Sequence, residues 1–248
     1  MHGTSAITAI TAQNTLAVTA VHEVPPEMVL AQVRAVLADI RVDAVKVGML
    51  ATAAIVLAVA QALDELAPGT PVVVDPVMVA ESGARLLERD AQDALVGEIL
   101  PRASVLTPNL PEARALAGRE GLELPELASK GDDDAEAEEL ARAVAALGPR
   151  VVVLTGGHRA RAVDLFLDAA GGECVRIEGE RHPDGAAHGS GCTHSSLLAA
   201  QLALGHSPLE AAKTARALAG AAVAHGLRDI GSGPGPVDVL ELSRMSGD

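Results

Sequence analysis

Short runs of β-branched residues alternate along this chain with longer segments rich in Ala and Leu. Two runs, Val72–Val74 and Val151–Leu154, are apolar at every position, which is typical of strands covered on both faces of a parallel sheet. Between such runs apolar residues recur at helical spacing, as at Val29, Val33 and Val36. This alternation predicts a doubly wound, mostly parallel α/β sheet flanked by helices. The predicted strands are 16–21, 44–47, 71–74, 104–106, 151–155, 162–167 and 174–177.

The predicted helices fill most of the remaining chain. A capping box at 207–210, with Pro208 in the first turn, indicates the start of a helix that runs to about residue 225. The acidic stretch 118–139 is predicted to be a solvated loop that leads into a helix, and its three adjacent Asp residues are interpreted as facing water. The other predicted helices are 26–40, 52–66, 90–100, 109–117 and 190–204.

Length and charge narrow the class of protein. We expect residues 1–248 to form a single domain, because this length suffices for one substantial core. The net charge of −14 argues against a nucleic-acid partner. The apolar stretch 49–63 is too short to span a bilayer, and no secretory signal is visible at the start of the chain. With only two cysteines, we expect a cytoplasmic protein without a disulfide framework.

The run His-Gly-Ser-Gly-Cys-Thr at 188–193 carries the most specific chemical signal. A glycine turn that opens a helix presents unpaired N–H groups and the positive end of the helix dipole, which together suit a phosphate group. We expect that field to lower the pKa of Cys192. An ordinary turn followed by a cysteine packed as a small apolar residue is the alternative.

Polar residues follow several predicted strands and are expected at one edge of the sheet. Asp75 follows one strand, Asn109 and Glu112 follow the next, and Thr155 with Gly157 follows a third. Each position alone also fits a turn or a helix cap. Together their oxygen ligands predict a Mg²⁺–nucleotide site, although the Walker A pattern is absent.

The motifs occur in an order that resembles the hydroxymethylpyrimidine/phosphomethylpyrimidine kinases of thiamine biosynthesis, members of the ribokinase-like superfamily. The most specific are Ala-Gln-Asn-Thr at 12–15 and the run at 188–193. The matching stretches are 3–15, 46–50, 74–78, 106–113, 155–158, 188–193 and 231–237. The resemblance implies transfer of the γ-phosphoryl group of ATP, with Mg²⁺, to a pyrimidine hydroxymethyl group and then to the monophosphate.

The resemblance also implies a pyrimidine-binding site. Gln13 matches the family's pyrimidine-binding glutamine, whose amide can read ring nitrogen and amine groups. Met49 and Val77 match residues that line the ring pocket. Aliphatic and Met side chains are consistent with a chain that has no Trp or Tyr and one Phe. Family members are commonly homodimers, so a homodimer is expected here.

The remaining implied roles concern the phosphates and the catalytic group. Cys192 takes the place that an aspartate base holds in related sugar kinases, and the amides of Gly189, Ser190 and Gly191 would form an anion hole. The implied ATP- and phosphate-binding residues are Asp75, Asn109, Glu112, Thr155 and Gly157, of which Asp75 and Glu112 would hold Mg²⁺ directly or through water.

The chain departs from the family pattern at three places. The family's first strand and its glycine-rich turn have no counterpart before residue 3, so we expect the first βα element to be absent. Thr155 stands where many members have a Lys, and Ala186-Ala187 replaces Asn-Thr. Two alternatives therefore stay open: a pyridoxal or pyridoxine kinase, and a non-catalytic protein that binds a pyrimidine or a nucleotide.

Overall fold

A six-stranded sheet runs through the centre of the computed structural model, which describes residues 1–78, 86–118, 133–156, 162–183 and 185–241. Its strands lie side by side in chain order, the first four parallel and the last two antiparallel. The prediction of a mostly parallel α/β sheet is confirmed. The strands are β3 (Val45–Val47), β4 (Val72–Val74), β5 (Val105–Leu106), β6 (Val151–Leu154), β7 (Val163–Asp168) and β8 (Cys174–Glu178).

Helices cover both faces of the sheet because the strands alternate their side chains between two cores. Val72 and Val74 pack into one core with the helices up to residue 145, whereas Val73 packs into the other with the last two helices. The helices are α1 (Pro26–Leu37), α2 (Ala53–Asp64), α3 (Arg89–Ala94), α4 (Leu110–Ala117), α5 (Asp133–Ala145), α6 (Ser190–Ala203) and α7 (Pro208–Ala224). No helix in the described ranges is both long and apolar enough to cross a membrane.

Two helix predictions need correction. The helix predicted over 90–100 is α3 followed by a π-helical turn, Leu95–Ile99, and a 3₁₀ turn, Leu100–Arg102. Helix α5 begins at Asp133, inside the segment predicted as a loop. The acidic residues hid its helical pattern: Ala137 and Ala141 are fully buried on one face, while Glu, a good helix former, occupies two of the three positions between them. Residues 119–132 lie outside the described part of the chain.

A separate two-stranded antiparallel sheet precedes the central one. Its strands are β1 (Ala9–Gln13) and β2 (Val18–Glu23), and the register shifts by a bulge between Ala12 and Gln13. Strand β1 was not predicted, and β2 lies two residues later than the predicted strand 16–21. Most side chains of this hairpin are exposed, so they lack the continuous apolar pattern that marks the buried strands.

Candidate active site

The carboxyl ends of the parallel strands bring the predicted polar residues to one edge of the sheet. Asp75 directly follows β4, and its N–H donates to the Val47 carbonyl on β3 at 2.9 Å. Asn109 follows β5 and forms a parallel bridge with Thr155, which follows β6. The Thr155 N–H donates to the Pro108 carbonyl at 2.9 Å. The prediction that these side chains share one edge is confirmed.

Asp75 is the best-connected side chain at this edge. It is 7% exposed, and its Oδ2 accepts a hydrogen bond from Ser195 Oγ on α6 at 3.0 Å. The same oxygen lies 3.3 Å from Nζ of Lys46 on β3. Burial of a carboxylate is costly unless it is paired and hydrogen-bonded, so these two contacts account for its position.

Glu112 lies in the first turn of α4, where a capping box holds it. Its Oε2 accepts the Asn109 N–H, and Asn109 Oδ1 accepts the Glu112 N–H, both at 2.9 Å. Desolvation by burial raises the pKa of Glu112 to about 7, and the charge of Asp75 adds to the rise; hydrogen bonds from the Asn109 and Met78 main chains oppose it. The carboxyl is therefore close to half-protonated at neutral pH without a ligand.

The start of α6 keeps the features expected of an anion site, with one correction. Gly189 has φ +83°, a left-handed conformation that favours glycine, and it caps the helix. The Ser190 N–H donates to the Ala187 carbonyl at 2.9 Å and is therefore engaged in the turn rather than free for a phosphate. The N–H groups of Gly189 and Gly191 have no acceptor in the described part of the chain.

Cys192 lies in the first turn of α6 and is exposed to solvent. Desolvation by burial nevertheless raises the pKa of its thiol above the usual value of 9.0. The Lys46 ammonium opposes the rise, and the nearby carboxylates of Asp75 and Glu112 add to it. The expectation that the helix terminus lowers the pKa of this thiol is wrong, because desolvation outweighs that field. The influence of Asp75 and Glu112 on this pKa indicates that the thiol lies near both carboxylates.

Just after Thr155, the main chain is held where the end of β6 meets the start of β7. The Gly156 N–H donates to Oδ1 of the buried Asp164 at 2.8 Å. Gly157, predicted as a phosphate-binding residue, lies outside the described residues. Thr155 is partly buried beside Asn109. The side-chain nitrogen of Asn109, Nδ2, makes no hydrogen bond in the described part of the chain.

Gln13 lies on the hairpin, apart from the carboxylates. Its side chain is exposed at the end of β1, and its Oε1 accepts from Thr11 Oγ1 at 3.5 Å. The C-terminal segment 231–237 links this hairpin to the α6 turn. The Gly233 N–H donates to Thr15 Oγ1 at 3.3 Å, and two residues later the segment pairs with His188, whose N–H donates to the Gly235 carbonyl at 3.2 Å.

The two residues predicted to line the ring pocket lie at the ends of neighbouring strands. Met49 follows β3 and is partly buried, and its carbonyl accepts from Thr8 Oγ1 at 2.7 Å, which ties the hairpin to the sheet edge. Val77 follows β4 and is also partly buried, and its N–H donates to the Asp75 carbonyl at 2.8 Å. Both therefore lie at the carboxylate edge, and Met49 also contacts the segment that leads into the hairpin.

Lys46 and Ser195 were not assigned a role from the sequence. Each nevertheless carries a signal. Lys46 is a charged residue inside an otherwise apolar strand, and Ser195 lies one helical turn after Cys192 on the same face of α6. The missing information was their shared partner, Asp75, which only the folded chain brings to them.

A helix N-terminus with free N–H groups, two buried carboxylates and a thiol at one sheet edge define a site suited to phosphoryl transfer. A family model described as phosphomethylpyrimidine kinase matches residues 1–238. A hydroxymethylpyrimidine/phosphomethylpyrimidine kinase from Rhizobium meliloti is 44% identical over 240 residues, which are 96% of this chain and 85% of that protein. The chain belongs to the phosphomethylpyrimidine kinase family.

Solved structures share the fold. A phosphomethylpyrimidine kinase from Clostridium difficile 630 superposes with a TM-score of 0.71 at 33% identity, covering 87% of this chain and 84% of that one. The pyridoxal kinase from Staphylococcus aureus in complex with AMP-PCP and pyridoxal gives 0.79 at 28% identity, covering 97% and 83%. Both families of vitamin kinases therefore share this architecture.

We expect the substitution Glu112→Gln to remove a pH dependence of folding stability. Because the folded-state pKa of Glu112 is raised from 4.5 to about 7, the folded chain holds this proton more tightly than the unfolded chain. The resulting stabilisation is complete below the unfolded pKa and is lost as the pH rises through 7. The variant should therefore exceed the wild type at pH 8 by about 1–3 kcal/mol in the free energy of unfolding.

Urea unfolding between pH 5 and 8 in the presence of a chelator measures this difference, with the exposed Glu139→Gln as the matched control. Parallel pH profiles for the wild type and Glu112→Gln would contradict the raised pKa.

Proposed function

We propose that this chain transfers the γ-phosphoryl group of ATP to the hydroxymethyl oxygen of 4-amino-5-hydroxymethyl-2-methylpyrimidine. It then transfers a second phosphoryl group to the resulting monophosphate, in thiamine biosynthesis. The observation that carries the proposal is the meeting of the α6 N-terminus and Cys192 with Asp75 and Glu112 at one sheet edge. Membership of a family whose relatives are named for both steps supports the choice of substrate.

The residues at this edge fit Mg²⁺. Asp75 Oδ1 has no hydrogen-bond partner in the described part of the chain and is not sealed from solvent, and the Glu112 carboxyl lies close enough to be affected by the Asp75 charge. Carboxylate oxygens and substrate phosphates are the ligands that this ion prefers. Asp75 and Glu112 would hold it directly or through water, and the ion would neutralise charge on the transferred group.

The N–H groups of Gly189 and Gly191 support an anion hole for the γ-phosphoryl group. Neither has an acceptor among the described residues, and both lie at the positive end of the α6 dipole. Ser190 helps to form the turn, but its own N–H already donates to the Ala187 carbonyl and is not offered to the phosphate. We assign the neighbouring Asn109 and Thr155, with Gly157 beyond them, to the nucleotide phosphates.

Cys192 is the group we assign to accept the hydroxymethyl proton. It lies in the first turn of α6, beside the N–H groups of Gly189 and Gly191. A thiol with a raised pKa is largely protonated at neutral pH, but its thiolate is a stronger base, and the Lys46 ammonium favours that form. Turnover is thus expected to increase with pH as the thiolate fraction increases.

The pyrimidine ring is assigned to the space between the hairpin and the strand ends. Thr8 ties the hairpin to Met49, and the segment 231–237 ties its turn to His188 beside the anion hole. Met49 and Val77 would contact the faces of the ring. Gln13 would read its nitrogen and amine groups, since an amide both donates and accepts.

The wider setting of the enzyme follows from the same observations. We propose that residues 1–248 act as one kinase domain and that the chain forms a homodimer. Exposed apolar side chains on the hairpin, Ile10, Leu16 and Val21, support a contact with a second copy. Cys174 and Cys192 are both free thiols, which supports a cytoplasmic location.

A pyridoxal kinase is the second candidate, favoured by the TM-score of 0.79 with the Staphylococcus aureus enzyme. A non-catalytic binding protein is a third candidate, which turnover of any substrate would exclude. The two kinases differ in the second step, because a phosphomethylpyrimidine kinase phosphorylates the monophosphate again and a pyridoxal kinase performs no second phosphorylation.

We expect Cys192→Ala and Cys192→Ser to lower kcat by at least about 100-fold, because general-base catalysis typically contributes 10²–10⁴-fold. The wild-type kcat should rise from pH 7 toward the thiol's raised pKa, and the residual activity of Cys192→Ala should lose this dependence. Steady-state ADP release measures both, with Cys174→Ala as the matched control and thermal unfolding to confirm the fold. Full activity of both variants would exclude Cys192 as the base.

We expect phosphomethylpyrimidine to be a substrate with kcat/KM at least tenfold above that of pyridoxal, since polar groups left unpaired by the wrong ring cost one power of ten or more. Coupled ADP release with each compound in turn, under the same Mg²⁺ and ATP concentrations, measures the ratio. Turnover of pyridoxal together with no turnover of phosphomethylpyrimidine would establish the second candidate instead.

A further inference from the structure

Ser195 is fully buried, yet the proposed chemistry gives it no role. It lies on α6 one turn after Cys192. Three acceptors are within hydrogen-bonding distance of its Oγ: Asp75 Oδ2 at 3.0 Å, the Gly191 carbonyl at 3.0 Å and the Cys192 carbonyl at 3.2 Å. A hydroxyl has one hydrogen to donate. The carboxylate is the charged acceptor and forms the stronger hydrogen bond, so the proton points to Asp75.

Lys46 reaches the same carboxylate oxygen from the other side. Its Nζ lies 3.3 Å from Asp75 Oδ2, and both side chains are largely buried. The ammonium lies against Gly48: a Cβ there would be 2.7 Å from Nζ and would displace the ammonium from this position. The chain therefore leaves space for the ammonium where β3 ends, next to Asp75 at the end of β4.

The hydrogen bond from Ser195 and the ion pair with Lys46 both fall on Oδ2 and leave the other oxygen of Asp75 available. Oδ1 has no hydrogen-bond partner in the described part of the chain. The terminal torsion of an Asp side chain has a broad, two-fold preference, so an unrestrained carboxylate samples many orientations. Here the hydroxyl and the ammonium select one orientation, in which a single oxygen is free.

We propose that Ser195 is a positioning residue that, with Lys46, turns Oδ1 of Asp75 toward the Mg²⁺–phosphate group. The proposal rests on the phosphoryl transfer described above. Ser195 also lies on α6, one helical turn after the proposed anion hole, so its hydrogen bond holds that end of the helix against the carboxylate. Groups that orient a metal ligand commonly change metal affinity 10- to 100-fold when they are removed.

A purely structural role is the competing explanation. Serine inside a helix often bonds the carbonyl four residues earlier, and Gly191 is at that position for Ser195. Such a bond would affect the stability of α6 but not the affinity for the ion. The two explanations therefore differ in the readout that they predict.

The test compares Ser195→Ala with Ser196→Ala, a neighbouring serine on the same helix whose side chain is exposed. Calorimetry with a non-hydrolysable ATP analogue at increasing Mg²⁺ concentrations gives the apparent Mg²⁺ constant without turnover. We expect Ser195→Ala to raise that constant about tenfold. Its KM for the pyrimidine should stay within twofold of the wild type, while Ser196→Ala changes neither quantity. An equal Mg²⁺ constant for the two variants would overturn the proposal.

Two further measurements keep the result decisive. If Ser195→Ala does not fold, Ser195→Cys, which keeps a similar volume and donates only weakly, is measured in the same way, and an unchanged Mg²⁺ constant would again overturn the proposal. If the wild-type chain binds Mg²⁺ and the analogue but phosphorylates no pyrimidine, the proposed substrate is wrong. The difference between Ser195→Ala and Ser196→Ala then still decides the role of Ser195.

Discussion

The buried carboxylate of Asp75 is the constraint on which this site depends. A carboxylate at 7% exposure requires both a counter-charge and a hydrogen bond, and the chain supplies them from β3, through Lys46, and from α6, through Ser195. Satisfying one charge thereby fixes two strand ends and a helix relative to one another. The start of α6, where we propose an anion hole, is held against the carboxylate edge for the same reason.

The electrostatics of the ligand-free site suit an incoming cation. Asp75 raises the pKa of Glu112, and both acids raise that of Cys192, so each acidic group makes the ionised form of its neighbours more costly. Lys46 offsets only part of this. A bound divalent ion would supply the missing positive charge between these acids and the phosphates of a substrate.

Features set by neighbouring residues could be predicted from the sequence, and features set by distant contacts could not. The wholly apolar strands β4 and β6, and the capping box of Asn109 and Glu112, each follow from a few adjacent positions. The contact of Ser195 with Asp75 joins residues 120 apart in the chain, so no local pattern reveals it. The pKa of Cys192 was mispredicted for the same reason, because the helix terminus is local but the desolvating contacts are not.

The substitution Asp75→Asn tests the central claim most directly, because it preserves the side-chain volume and a carbonyl acceptor for Ser195 while removing the charge. Calorimetry of a non-hydrolysable ATP analogue, with and without Mg²⁺, measures how much the ion contributes to binding. The account predicts that Mg²⁺ increases the affinity of the wild type for the analogue and that this increase is about tenfold smaller, or smaller still, in Asp75→Asn. The same gain from Mg²⁺ in both proteins would contradict it.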